Sequence, residues 1–270
     1  MGKCKDRIIE VDNEFYERIP IATHLFVSGE DIVQIAVKYL EGLTQEGDWI
    51  VFSEKAVAAT EGRAIPLDEI KPSRMATLLS KFVRKTPHGI GLSIPETMEM
   101  AIREVGLPRI MVAAALGAVT KAVGVRGVFY QVAGRKAAAI DGPTSSNIPP
   151  YDHCVILSPS DPDGIALKIS KAVGCEVGIV DVNDLGSEVL GATPGIDRRK
   201  LRLIMGDNPL GQGKEQTPIG IIRRSLSHMQ VAAAAAAGAG VEAGAEAGAA
   251  AATSGTPEET GKAEAETPNK

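Results

Sequence analysis

The sequence predicts an α+β protein, and three observations carry that prediction. Apolar residues recur at helical spacing in some stretches and in short unbroken runs in others. The two kinds of stretch follow one another irregularly, so a single parallel wound sheet is not implied. The interior they offer is aliphatic: 44% of the 270 residues are hydrophobic and only 4% are aromatic. Composition then divides the chain into a body, residues 1–230, and a low-complexity tail, residues 231–270.

In chain order, the first helix is expected from Ser28, where Ser28-Gly29-Glu30-Asp31 resembles a capping box. Ile32, Ile35, Ala36, Tyr39 and Leu40 then fall on one helical face. Gly42 closes it, and Gly47-Asp48 turns the chain into a strand from Trp49 to Phe52. A second helix is predicted from Ser73, with Met75, Leu78, Leu79, Phe82 and Val83 on one face and Pro87 and Gly89 ending it. A third opens at Pro95, which suits a first helical turn because it lacks an amide hydrogen. The Ala-rich stretch 110–122 is expected to be a tightly packed helix. Gly127 to Val132 and Lys136 to Ile140 read as two strands joined at Gly134-Arg135. His153 to Leu157 and Glu176 to Val182 read as further strands, with a helix over about 163–173 between them. His153, set in that apolar run, is expected to be a core residue. Thr217-Pro218 opens either a helix or, through the Ile-Gly-Ile-Ile that follows, a strand.

The tail is of another kind. Sixteen of its residues are Ala, repeated Gly opposes the helix that Ala favours, and no large apolar side chain is available to dock it. It is expected to be disordered and to carry no chemistry. Its six Glu and two Lys hold −4 of the formal net charge of −5, which leaves the body at −1. A nearly neutral body with few aromatic residues suits neither the phosphate backbone nor the bases of a nucleic acid. Cys4, Cys154 and Cys175 form no metal-ligand spacing and suggest a reducing compartment. The N-terminus has no apolar signal core, and the longest apolar run, Ile110 to Val119, is too short for a bilayer span and reads as a buried helix. A cytoplasmic protein without a membrane partner is therefore expected.

Three segments could carry chemistry. Ser53-Glu54-Lys55 through Glu61-Gly62-Arg63 reads as a loop after a strand, where ligand groups are commonly mounted. Lys55 and Arg63 would meet phosphates there, or they are solvated charges of a surface hairpin. No glycine-rich phosphate loop of the standard spacings occurs. The second segment is Ile140-Asp141-Gly142-Pro143-Thr144-Ser145-Ser146-Asn147, an acid followed by a dense polar loop. Asp141 would hold a hard divalent cation, or the segment is a turn built from turn residues. The third is Asp181-Val182-Asn183-Asp184-Leu185-Gly186, at the exit of an apolar strand. It would complete a metal site with Asp141 for phosphoryl transfer, or it is a capped turn. Asp161-Pro162-Asp163-Gly164 reads as a helix start, and the polar loop 207–218 as either a binding loop or a connector.

In this order, the segments resemble the coenzyme F420-0:L-glutamate ligase family. The likeness runs through Ile19-Pro20-Ile21, Gly29-Glu30-Asp31-Ile32, Gly47-Asp48 with Ser53-Glu54-Lys55 and Glu61-Gly62-Arg63, Lys71-Pro72-Ser73, Ile140-Asp141 with Ser146-Asn147, Asp161-Pro162-Asp163-Gly164 and the strand 177–186. The resemblance implies two intimately associated mixed α/β subdomains and a homodimer. It implies GTP as co-substrate with Mg or Mn, and a monovalent cation as a further candidate. The reaction implied is phosphorylation of a carboxylate on a deazaflavin precursor and attack by the amine of L-glutamate on the acyl phosphate. Asp141 and Asp184 would then be catalytic, with Asp141, Asn183 and Asp184 at the metal. Ser53, Lys55, Glu61, Gly62, Arg63, Ser146 and Asn147 would lie near the nucleotide. The chain departs from the family pattern in five places, among them extra residues in the 140–151 loop and the early passage into the tail after Arg224. Asn183 stands at the second acid, Ala59 at a family lysine, and residues 95–125 are distinctive. A related ligase with another acceptor, or a binding protein of the same fold without catalysis, remain as alternatives.

Overall fold

A computed structural model describes residues 6–83, 90–125, 127–145, 147–183, 186–211 and 215–225. The expected tail, and the candidate site residues Ser146 and Asp184, lie outside the described residues.

Eight strands and nine α-helices are described. The strands are β1 (Ile8–Val11), β2 (Glu14–Ile21), β3 (Trp49–Ser53), β4 (Ala64–Pro66), β5 (Cys154–Ile156), β6 (Glu176–Asn183), β7 (Gly186–Ala192) and β8 (Ile219–Arg224). The helices are α1 (Ile32–Leu40), α2 (Glu54–Thr60), α3 (Arg74–Ser80), α4 (Pro95–Val105), α5 (Leu107–Ala122), α6 (Val128–Ala133), α7 (Arg135–Ala138), α8 (Pro162–Val173) and α9 (Arg198–Ile204). Six strands form one mixed sheet in the order β1-β2-β8-β3-β6-β7, and β4 pairs with β5 in a second, two-stranded sheet. Within the large sheet only β3 and β6 run parallel, with Phe52 opposite Ile179 and Ser53 opposite Val180. The β8 partner of β3 is antiparallel, which decides the last sequence ambiguity in favour of a strand.

The sheet is buried on both faces, and residue parity shows it. Ile50, Phe52, Val177, Ile179, Ile219 and Ile221 meet α1 and α8 in one core. Their neighbours Val51, Val180 and Ile222 meet Leu201, Ile204 and Met205 around α9 in another. Successive side chains of a strand point to opposite faces, so this alternation is what two covered faces require. A third core gathers α3 to α7 with one side of β5, through Leu79, Met98, Ile110, Ala133, Ile140 and Val155. The mixed α and β architecture is the one the sequence predicts.

Several expected elements take another form. The first helix is capped by Asp31, whose side chain accepts from the Val33 amide, rather than by Ser28. Ser28 and Gly29 are drawn aside instead: the Gly29 amide donates to the Thr60 carbonyl at 2.9 Å, fixing that turn to the end of α2. The segment read as a loop after Ser53 is α2, because its Ala-rich Glu-Lys-Ala-Val-Ala-Ala-Thr run favours helix. The two strands expected over 127–140 are the helices α6 and α7. Gly127 and Gly134, both with φ near +90°, separate the segment into single turns whose Ala133 and Ala137 pack inward. His153 is not a core residue. It ends a one-turn 3₁₀ helix before β5, and its side chain is 85% exposed. The Ala-rich helix is α5, but of its residues only Ile110 and Ala113 are buried, so it is not the tightly packed helix expected.

Candidate active site

The parallel pair β3–β6 organises the polar centre. Ligand groups collect beyond the carboxyl ends of parallel strands because the chain leaves there into helices and loops. At the end of β3 the next residue is Glu54, the first of α2, and two residues beyond Ile179 on the same face of β6 stands Asp181. Lys55 follows Glu54. From the far side of the chain, Asp141 is held by a pair of backbone hydrogen bonds with Ile156, each 2.9 Å, and Ile140 anchors it in the helical core. The Lys55 ammonium lies 2.8 Å from Asp141 Oδ2 and donates to Asn147 Oδ1 at 3.3 Å. Two segments separated by more than eighty residues therefore close on one lysine.

Electrostatics bind four groups into one cluster. Glu54 is 6% exposed, and burial pushes its carboxyl up to about 8, with the negative charges of Asp181 and Asp141 adding to the shift and a hydrogen bond from Ser158 opposing it. Its Oε1 has no hydrogen-bond partner among the described residues. Asp181 is raised as well, first by burial and then by Asp141, with Lys55 pulling the other way. Burial alone would depress the Lys55 ammonium, yet Asp141, Asp181 and Glu54 together hold it above the usual lysine value. The centre has more carboxylates than local cations to match them. A buried carboxyl oxygen without a donor is costly and points to a missing positive or donating group.

The oxygen donors suit a hard divalent cation, but with a limit on what kind of site this is. Among the described residues no group of three His, Cys, Asp or Glu is close enough to hold a metal by itself. Magnesium-type sites that serve phosphoryl transfer do not need such a cage. They use one or two carboxylates and take the remaining ligands from phosphate oxygens and water. Asp141 and Asp181 fit that arrangement.

The other residues expected at the nucleotide are placed as follows. Ser53 precedes α2 at its N-cap without capping it through its side chain. Asn183 lies on the same strand face as Asp181, one pleat further along β6. Glu61, Gly62 and Arg63 stand at the opposite end of α2, some ~10 Å along its axis. There they are engaged in packing. Glu61 accepts from the Ser160 amide at 3.0 Å and from its hydroxyl. Arg63 donates to the Ser158 carbonyl and pairs with Glu104 at 2.8 Å. Gly62 has φ +69°, and a Cβ there would come within 2.7 Å of Ser28 Oγ. The structure brings Lys55, Asp141 and Asn147 together and leaves this trio apart. It also adds Glu54 and Asp181, which lie inside the segments picked out from the sequence. The signal that could have found them is the parity of β6 and the position of Glu54 directly after a fully apolar strand. In the 207–218 loop, Asp207 pairs with the buried Arg18 and Thr217 donates to the Leu210 carbonyl, and residues 212–214 lie outside the described residues.

A family model described as F420-0:Gamma-glutamyl ligase matches residues 20–185, a span that contains Glu54, Lys55, Asp141, Asn147 and Asp181. A curated relative from Methanopyrus kandleri, named coenzyme F420:L-glutamate ligase, is 28% identical over 162 residues, which is 58% of this chain and 55% of that protein. The chain thus spans about half the length of the curated relative it matches. With more than half of its residues under the family model, and the charged centre inside the matched span, the chain belongs to the F420-0:gamma-glutamyl ligase family.

Proposed function

We propose that the protein joins the carboxylate of a deazaflavin precursor, coenzyme F420-0, to the amine of L-glutamate, with GTP as the phosphoryl donor and Mg²⁺ or Mn²⁺ at the site. The observation that supports it most directly is the Lys55 centre. Glu54 and Asp181 leave the ends of two parallel strands, and Asp141 meets them from the other core, in a chain of this family.

The chemistry sets what each residue has to do. A substrate carboxylate oxygen attacks the terminal phosphorus of the triphosphate, the bond to the diphosphate breaks, and an acyl phosphate forms. The glutamate nitrogen then attacks the acyl carbon, phosphate leaves, and the amine gives up its proton as the amide forms. Both steps gather negative charge on phosphate oxygens, so the protein's part is to orient and neutralise. Lys55, tethered by Asp141 and Asn147, presents one fixed positive charge where a phosphoryl group would lie. Asp141 and Asp181 would hold the cation, which when bound supplies Lewis-acid neutralisation of the phosphates. Glu54 stands beside them with a free oxygen to receive a donor or a water.

The test is direct. Purified protein with Mn²⁺ or Mg²⁺, GTP, L-glutamate and the deazaflavin precursor should release GDP and form the glutamyl adduct, and Asp141→Asn should reduce both by at least a hundredfold. Release of GDP only with another carboxylate–amine pair would keep the chemistry and replace the substrates. Tight GTP binding with no turnover on any pair would leave a binding protein. The family reading carries a homodimer too, and light scattering should return about twice the chain's 28.2 kDa.

A further inference from the structure

Beside the two-stranded sheet β4–β5 the chain encloses a cleft of about 570 Å³. Its apolar walls are Pro66, at the end of β4, and Pro149, Pro150 and Tyr151, on the turn that leads into β5. Strand pairing holds one side, with Pro66 opposite Cys154. Tyr151 pins the other: its hydroxyl donates to the Phe26 carbonyl at 2.5 Å, and its own carbonyl accepts from Asn147 Nδ2 at 3.4 Å. A cleft of this volume with its walls held in place is of the kind that takes a small organic molecule.

The charge on the cleft is acidic. Asp68 and Asp152 line it, and among the described residues no lysine or arginine does. Asp152 faces the His153 imidazole, whose Nε2 is 3.5 Å from Oδ2 and whose ring is 85% exposed. The other oxygen, Oδ1, is enclosed and has no hydrogen-bond partner among the described residues, a costly position for a carboxylate. The Cys154 thiol, which also lines the cleft, registers the same field: burial pushes it up, and the charges of Asp152, Glu69 and Asp68 push it further. We propose that this cleft binds a small organic amine in its ammonium form, with the apolar body against the prolines and Tyr151 and the charge met by Asp68 and Asp152.

Three considerations select this occupant. An anion finds no described cation on the walls and two carboxylates facing it, so neither L-glutamate nor a nucleotide phosphate suits the cleft. A metal ion is disfavoured because among the described residues no group of three His, Cys, Asp or Glu is close enough to hold one, and because proline rings offer it no ligand. An organic amine uses both parts of the lining: its carbon body leaves water against the apolar walls, and its ammonium makes charge-assisted hydrogen bonds to carboxylates. The cleft is separate from the Lys55 centre, with Asn147 standing between them. That side chain accepts from Lys55 on Oδ1 and donates to the Tyr151 carbonyl from Nδ2.

Three probes that share one ring and differ in charge test it: benzylamine, benzyl alcohol and benzoate, added to the full chain at pH 8, where histidine imidazoles are uncharged. In two-dimensional amide NMR spectra benzylamine should shift Ala64, Asp68, Asp152 and Cys154 and bind at least tenfold more tightly than benzyl alcohol, with benzoate giving no shift there. Asp152→Asn and Asp68→Asn should each keep the wild-type circular dichroism spectrum and weaken benzylamine at least fivefold. Asp68 is exposed, so its variant decides the matter should the other fail to fold. Equal binding of benzylamine and benzyl alcohol overturns the proposal, as does benzylamine binding that Asp68→Asn leaves unchanged. Shifts confined to Lys55 and Asp141 overturn it too, by placing the amine at the other centre. Tighter binding of Nα-acetyl-lysinamide than of benzylamine would give the cleft to a lysine side chain of a partner protein instead. None of these outcomes depends on whether the protein turns over GTP.

Discussion

Glu54 is a carboxyl group held where its charged form is unwelcome. Its folded value of about 8 stands above the 4.5 of the free side chain, so between those two values the folded state keeps a proton that the unfolded state has released. Stability then falls as pH rises through that window, and the loss is complete above pH 8. At ~1.4 kcal/mol per unit the full cost is on the order of 5 kcal/mol. Glu54→Gln removes the charge and keeps the shape. In metal-free buffer the variant should be more stable than wild type in urea at pH 8.5, with the difference shrinking to nearly nothing at pH 5. Equal stability at pH 8.5 would show that Glu54 is ionised and satisfied. Lys55, held in its charged form by Asp141, Asp181 and Glu54, also contributes stability that is lost as pH rises through its raised value. Lys55, Asp141 and Asn147 were legible in the sequence because charged and amide residues in polar segments after apolar runs advertise themselves. Glu54 and Asp181 were not singled out, because one letter of sequence does not say which face of a strand a residue takes. Asp181 joins the cluster only because it shares parity with Ile179, and Glu54 only because the helix begins at that residue and turns its side chain inward.

At the scale of elements, α2 is the piece that converts sequence into site. Its first turn presents Glu54 and Lys55, and its last residues are tied to neighbours by Glu61, Gly62 and Arg63. Arg63 in particular links the end of α2 to the segment after β5 and to Glu104 at the end of α4, with both side chains of the ion pair largely buried. Arg63→Ala would leave the Glu104 carboxylate without its cation and should cost about 1–3 kcal/mol of stability. Activity measured well below the melting temperature should fall far less than in Lys55→Ala. The opposite pattern, unchanged urea stability with activity lost, would move Arg63 from packing to phosphate contact. Elements whose period was unambiguous, such as α1, α4, α8 and β6, could be read directly from the chain. The 127–140 region could not, because Val-Phe-Tyr-Gln-Val has strand-forming residues yet lies between two glycines that close it into the short helix α6, packed on α5. The openness of α5 was equally invisible. Apolar composition alone does not tell whether a helix is covered, and only the placement of its neighbours does.

Over the whole molecule, the site lies where two separately packed regions meet. Glu54 and Asp181 come off the sheet that α1, α8 and α9 enclose, whereas Asp141 follows Ile140 out of the helical core. A cation with a nucleotide triphosphate held by Asp141 and Asp181 would therefore cross-link the two regions, and binding to the folded state alone stabilises it by mass action. With GTP and Mn²⁺ together at a hundred times their dissociation constant, the gain is ~2.7 kcal/mol, and for a body of this size it should raise the melting temperature by about 5–10 °C. The shift should appear in one cooperative transition, because the ligand engages both regions at once. Asp141→Asn removes the contact from the helical side. It should abolish most of the shift while leaving the melting temperature of the unliganded protein within a few degrees of wild type, since Asp141 is half exposed and its backbone pairing with Ile156 does not need the carboxylate. A full shift in Asp141→Asn would show that the nucleotide and its cation are held on the sheet side alone, and the convergence of the two regions on Lys55 would then be architecture without a ligand.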